Sequence, residues 1–186
     1  MAENLYQAGR LSHCMEYQLL TQTPGLILRR LTAADADAYY ALVDCNRAHL
    51  SQYGDYQAEK VATLDWVISE LSQPSSNFRY GIHLGDRMIG RVDLVLVPVA
   101  APHYTIGYWL RRDSTGRGYA IAACNTVIEY ARAALSATDI FAGVTHGNHR
   151  SIALLKRLGF RPVAEFATYT RFQLCLTPVT STIQSS

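Results

Sequence analysis

Between Thr115 and Ala120 the chain reads Thr-Gly-Arg-Gly-Tyr-Ala, with Arg111 and Arg112 just ahead of it. Glycine lets main chain approach an anion with no Cβ in the way. A helical pattern starts at Gly118, so unpaired first-turn N–H groups and the positive end of the helix dipole fall in the same place. Arg111, Arg112 and Arg117 add positive charge there. This is the chemistry of a phosphate cradle, although the residues alone also fit a glycine turn carrying solvated arginines. Two other phosphate motifs are excluded. No GxxxxGK followed by Ser or Thr occurs, and no GxGxxG opens a strand–helix–strand unit.

The loop needs elements on both sides to hold it. Leu26 to Leu31 reads as a first strand, and Thr32, with Asp35 three residues on, as the cap of a helix carrying Tyr39, Tyr40, Leu42 and Val43. A second helix is expected from about Ala58 to Leu71, where Val61, Leu64, Val67, Ile68 and Leu71 recur at helical spacing. Strands follow at Phe78–Leu84, Met88–Val97 and Tyr104–Leu110, the first two joined through Gly85-Asp86-Arg87 as a hairpin. The helix after the loop runs to about Leu135, and Ile140–Thr145 is a short apolar strand. Asn148 opens a further helix that stops at Gly159. The last strands are read at Val163–Tyr169 and Arg171–Leu176. The order β-α-α-β-β-β-α-β-α-β-β implies an α/β (α+β) fold with a mixed, mostly antiparallel sheet.

The chain has 186 residues, 49% apolar and 17% charged, which suits one globular domain. We expect that domain at residues 15–177. Residues 1–14 are expected to be tag- or vector-derived, because Glu3-Asn4-Leu5-Tyr6-Gln7 resembles a tag protease site, and residues 178–186 a Ser/Thr-rich tail. A net charge of +2 gives no electrostatic case for nucleic-acid or membrane binding. No apolar run is long enough for a membrane span. Cys14, Cys45, Cys124 and Cys175 form no CxxC pair, so no metal site is expected and a cytoplasmic, reduced setting is.

Ile106-Gly107-Tyr108-Trp109-Leu110 followed by Thr115 to Ala120 resembles motif A of the GCN5-related N-acetyltransferases (GNAT), nearest to their RimJ/RimL-like branch, which acetylates ribosomal-protein N-termini. The family's loop reads R/Q-x-x-G-x-G/A. Gly118 and Ala120 match it, and Gly116 matches the branch's extra glycine, while Thr115 stands where Arg or Gln is usual. Asn148-His149-Arg150-Ser151 with Leu158-Gly159-Phe160 is similar to the family's N-x-x-S/A…LGF helix. Asn46-Arg47-Ala48-His49-Leu50 resembles the branch's acceptor-side helix. The resemblance spans roughly Leu26 to Leu176. It implies a sheet of six to seven strands with about four helices, parted in a V between the Tyr104–Leu110 and Ile140–Thr145 strands.

The resemblance further implies acetyl-CoA, or another acyl-CoA, as cosubstrate, with its pantetheine paired to main chain near Trp109, Leu110 and Arg111. The phosphate contacts would fall on Arg112, Thr115, Gly116, Arg117, Gly118, Tyr119 and Ala120, and further cofactor contacts on Asn148 and Ser151. The acceptor would be an amine on a small molecule, peptide or protein. It attacks only when neutral, so a proton must leave. Ser151 is the expected hydrogen-bond donor to the departing sulfur. Many relatives place a Tyr four residues on, where this chain has Leu155. Thr105 stands where a glutamate base is often found, which leaves Glu165 and Asp93 as catalytic candidates, with His49, His83 and His146 able to titrate near neutrality. Asn46, His49, Tyr53 and Tyr56 are the expected acceptor-binding residues. A longer-chain acyltransferase and a catalytically weak acyl-CoA-binding module are the alternatives. An exposed late hairpin suggests a homodimer.

Overall fold

The computed structural model describes residues 17–53, 56–73, 77–98 and 101–176. The expected leading segment 1–14 and tail 178–186 lie outside them. Within the described residues one open sheet of eight strands runs through the molecule. Its strands are β1 (Gln18–Leu20), β2 (Leu26–Arg30), β3 (Phe78–Leu84), β4 (Arg87–Val97), β5 (His103–Leu110), β6 (Asp139–Thr145), β7 (Arg161–Glu165) and β8 (Tyr169–Cys175). The spatial order is β1-β2-β3-β4-β5-β6-β8-β7, and every neighbouring pair is antiparallel except β5 with β6. The helices are α1 (Ala36–Asp44), α2 (Arg47–Leu50), α3 (Gln57–Val61), α4 (Leu64–Ser72), α5 (Tyr119–Ala134) and α6 (His149–Arg157).

The mixed α/β architecture is the expected one, with one more strand and two more helices. The added strand β1 has three residues, too few to show a period, and it forms by pairing with β2. The single helix read at 58–71 is two, α3 and α4. Ala62 leaves the helical region with ψ 135°, and Thr63 caps the next helix by accepting the Trp66 N–H at 3.2 Å. The last strands begin earlier than the sequence suggests. Phe166 N–H donates to the Tyr169 carbonyl at 2.9 Å and closes the hairpin there.

Two apolar cores hold the sheet. On one face α5 buries Ala123, Cys124, Val127, Ile128 and Ala131 against Tyr80, Ile82, Val92, Leu94, Ile106 and Leu110. On the other, α1 and α4 bring Tyr39, Leu42, Val43 and Val67 against Leu31, Met88 and Trp109. Alternate β5 residues therefore serve opposite cores, as the period of a strand requires. No described helix is long and apolar enough to cross a membrane.

Candidate active site

β5 pairs with β4 along its whole length, from Gly90↔Leu110 to Val97↔His103. With β6 it pairs at three positions only, ending at Thr105↔Phe141. Past that point the strands part, and a cavity of about 740 Å³ opens between them. The Arg111 N–H donates to the Ile89 carbonyl at 2.8 Å, which fixes the phase of the ladder. The main-chain groups of Gly107 and Trp109 consequently face β4, and those of Ile106, Tyr108 and Leu110 face the gap. One gap-facing carbonyl carries a side-chain donor: the Tyr56 hydroxyl donates to Tyr108 at 2.5 Å.

At the open end lies the glycine loop. Gly116 and Gly118 have φ of 77° and 81°, and a Cβ on either would meet nothing within 4 Å. Only glycine takes that conformation without strain, and both positions face open space. Gly118 is the N-cap of α5, and the first turn has no side-chain cap among the described residues, which leaves its N–H groups available to a ligand. Thr115, Gly116, Gly118, Tyr119 and Ala120 line the cavity. The three expected arginines are not on its wall. Arg111 lies 2.7 Å from Asp113, which takes up its charge, and Arg112 and Arg117 are exposed beside the loop. The wall's cations are Arg150 and Arg157 of α6.

α6 enters through Asn148, whose Oδ1 accepts the Ser151 N–H at 3.2 Å, so Asn148 is a true N-cap as well as a lining residue. The Ser151 carbonyl accepts the Tyr108 hydroxyl at 3.5 Å. Ser151 is thus anchored through its main chain from both sides, and it lines the cavity. Leu155, at the place of the usual tyrosine, is fully buried.

Of the acceptor-side residues, His49, Tyr53 and Tyr56 line the cavity. Asn46 does not. It is buried, its Nδ2 donates to the Leu42 carbonyl at 2.8 Å, and its Oδ1 accepts the Arg112 N–H at 3.1 Å. Both ends of its amide are spent inside the protein. Burial lowers the His49 pKa, and the neighbouring Arg112 and Arg150 charges lower it further, so both effects favour the neutral imidazole.

The two carboxylate candidates separate sharply. Glu165 sits on the edge strand β7 with a side chain 76% exposed, 3.6 Å from His146, and the fold does not bring it to the cavity. Asp93 is buried on β4 directly across from Gly107, its Oδ2 3.8 Å from where a Cβ on Gly107 would stand. Gly107 lines the cavity, so Asp93 lies one layer behind the wall. Arg91 Nε is 2.9 Å from Asp93 Oδ2 without its N–H aimed there, Arg91 Nη1 is 2.7 Å from Glu59, and Arg91 also donates to the Tyr39 hydroxyl. Two buried carboxylates share one guanidinium, and Asp93 Oδ1 has no hydrogen-bond partner among the described residues. Burial raises the Asp93 pKa against the pull of Arg91, and burial likewise pushes Tyr39 up to about 12. His83 is buried on β3 away from the cavity wall.

Arg150, Arg157, Tyr108 and Leu154 are site residues that motif reading missed. Three of them were accessible to helical spacing, since positions 150, 154 and 157 fall on the α6 face that carries Ser151. Tyr108 was not, because its role depends on which strand edge is left open.

Residues 25–161 match the model of the acetyltransferase (GNAT) domain family. The putative ribosomal N-acetyltransferase YdaF of Bacillus subtilis is 36% identical over 143 residues, covering 73% of this chain and 77% of that protein. The probable N-acetyltransferase YjcK of the same organism is 27% identical over 144 residues, covering 73% and 80%. Among solved structures, RimL, a ribosomal L7/L12 α-N-protein acetyltransferase in complex with coenzyme A, superimposes with a TM-score of 0.74 at 18% identity over 85% of this chain and 98% of that one. Mycobacterium smegmatis RimJ in complex with a CoA-disulfide gives 0.73 at 21% identity over 85% and 87%. With its parted β5 and β6, its uncapped glycine loop and these matches, the chain belongs to the GNAT acetyltransferase family and is an N-acetyltransferase.

Proposed function

We propose that this protein moves an acetyl group from acetyl-CoA to a primary amine by direct attack in a ternary complex, with a peptide or protein N-terminus as the leading acceptor class. The parted edge of β5 carries this reading. A free strand edge beside an uncapped helix N-terminus matches a ligand with an amide-bearing arm and a pyrophosphate. RimL and RimJ are both solved with coenzyme A forms, and RimL and YdaF bear names of ribosomal-protein acetyltransferases. Bound acetyl-CoA would supply the activated acyl carbon.

The protein's own groups do the rest. Gly116, Gly118 and the first turn of α5 hold the pyrophosphate, with Arg150 and Arg157 adding charge. The gap-facing N–H groups of Tyr108 and Leu110 are fixed donors for the charge that develops on the thioester oxygen. Ser151 offers its hydroxyl to the departing sulfur. Asp93, with its unpartnered Oδ1, receives the proton of the acceptor ammonium across the thin wall at Gly107. Tyr53, Tyr56 and His49 shape the acceptor's entry. The cleft ends where Thr105 pairs with Phe141, between the buried Ile106 and Ala142, which favours a short acyl group over a long one.

Thiol release from acetyl-CoA, followed across a panel of peptide N-termini and small amines, tests the reading. Acetyl-dependent release with at least one primary amine is expected. Silence across the panel from a protein that binds CoA would refute the transfer.

A further inference from the structure

The segment that carries Tyr56 is fastened from behind. Arg47 donates to the carbonyls of Glu59, Lys60 and Ala62 at 2.8, 2.8 and 2.7 Å, closing the end of α3. Glu59 in the same short helix holds Arg91 at 2.7 Å. Tyr56, at the helix entry, has φ 57° and ψ 42°, a left-handed conformation that bulky residues seldom adopt. The fold thus sustains local backbone strain at the residue whose phenol reaches across the gap to a β5 carbonyl.

The other end of that bond explains the arrangement. Past Thr105, β5 has lost its partner on one side, and an unpaired strand edge must have its carbonyls satisfied. Tyr56 serves Tyr108 on that edge. This is a carbonyl that an added strand would use. Resting on the acyl-CoA reading above, we propose that Tyr56 is a placeholder on the cofactor edge. Its side-chain bond stands in for the amide arm of the cofactor and yields to it, which frees the Tyr56 phenol on the cavity wall.

The test is calorimetric titration of CoA into the wild-type protein, Tyr56→Phe and Tyr17→Phe. Tyr56→Phe removes only the hydroxyl that competes for the Tyr108 carbonyl. Its CoA affinity should rise about two- to tenfold, the worth of one released hydrogen bond. Saturating CoA should raise its unfolding temperature by more than it does for wild type. Tyr17→Phe, at an exposed tyrosine away from the cavity wall, should match wild type. An unchanged or weaker affinity in Tyr56→Phe would overturn the placeholder role. Absence of CoA binding by the wild-type protein would overturn the acyl-CoA reading itself, and would be seen before any substitution is made.

Discussion

Asn46 Oδ1 accepts the backbone N–H of Arg112 at 3.1 Å, and this one bond ties the end of α1 to the segment that leads into the glycine loop. The amide's other end is fixed to Leu42 at 2.8 Å, so the link is rigid. The family resemblance implies an acceptor contact at Asn46; the structure instead commits its amide to Leu42 and Arg112. Asn46→Ala leaves a buried carbonyl and a part-buried N–H short of partners, a loss of about 1 kcal/mol or more in stability. Weaker CoA binding should accompany it, with little change in the maximal rate at saturating CoA. Calorimetry and a KM-against-kcat comparison check this together.

Gly118→Asp should weaken CoA binding by about a hundredfold or more. The substitution sets a carboxylate against the pyrophosphate and forces a side chain onto a residue at φ 81°. Gly118→Ala should show the strain without the charge and lose less. Equal CoA affinity in a folded Gly118→Asp protein would remove the loop from the cofactor site.

Asp93→Asn separates catalysis from stability. The rate should fall by about 10²- to 10⁴-fold, the usual worth of a general base, and the acid limb of the pH–rate profile should disappear. That limb should lie above the ordinary carboxylate range, because burial raises the Asp93 pKa. A carboxyl raised in the folded state stabilises it most below its ordinary pKa, and that contribution is lost as pH rises through the raised value. Near neutrality Asp93→Asn should therefore keep or raise the unfolding temperature, leaving Glu59 and Arg91 as a balanced pair. Rate–pH profiles and thermal unfolding across pH read both effects.

Ser151→Ala should lower turnover at saturating substrates and leave CoA affinity near wild type. Asn148→Ala should instead cost about 1 kcal/mol of stability through the lost cap on α6, and should weaken CoA binding. The two phenotypes should differ although the residues are bonded to each other.

What the sequence shows most clearly is whatever local chemistry decides. Gly116 and Gly118 are legible because only glycine suits their backbone, and Asn148 because an N-cap has its own side-chain preference. The strands from Phe78 to Leu110 follow from alternation and a hairpin turn. What depends on distant partners is not legible. The split of α3 from α4 arises when Arg47 collects the carbonyls of Glu59, Lys60 and Ala62, a contact between separate segments. Asp93 and Glu165 are equal candidates as letters, and only the sheet order puts Asp93 behind Gly107 and Glu165 on the outer edge. Arg111 looks like a phosphate ligand until Asp113 is found 2.7 Å away.

The most direct test of acetyl transfer is intact-mass analysis of peptide acceptors incubated with isotopically labelled acetyl-CoA. One labelled acetyl group is expected on the amine of an accepted peptide, in equal amount to the CoA thiol released, and abolished by Gly118→Asp. Thiol release with no labelled amine product, or labelling undiminished in Gly118→Asp, would contradict it.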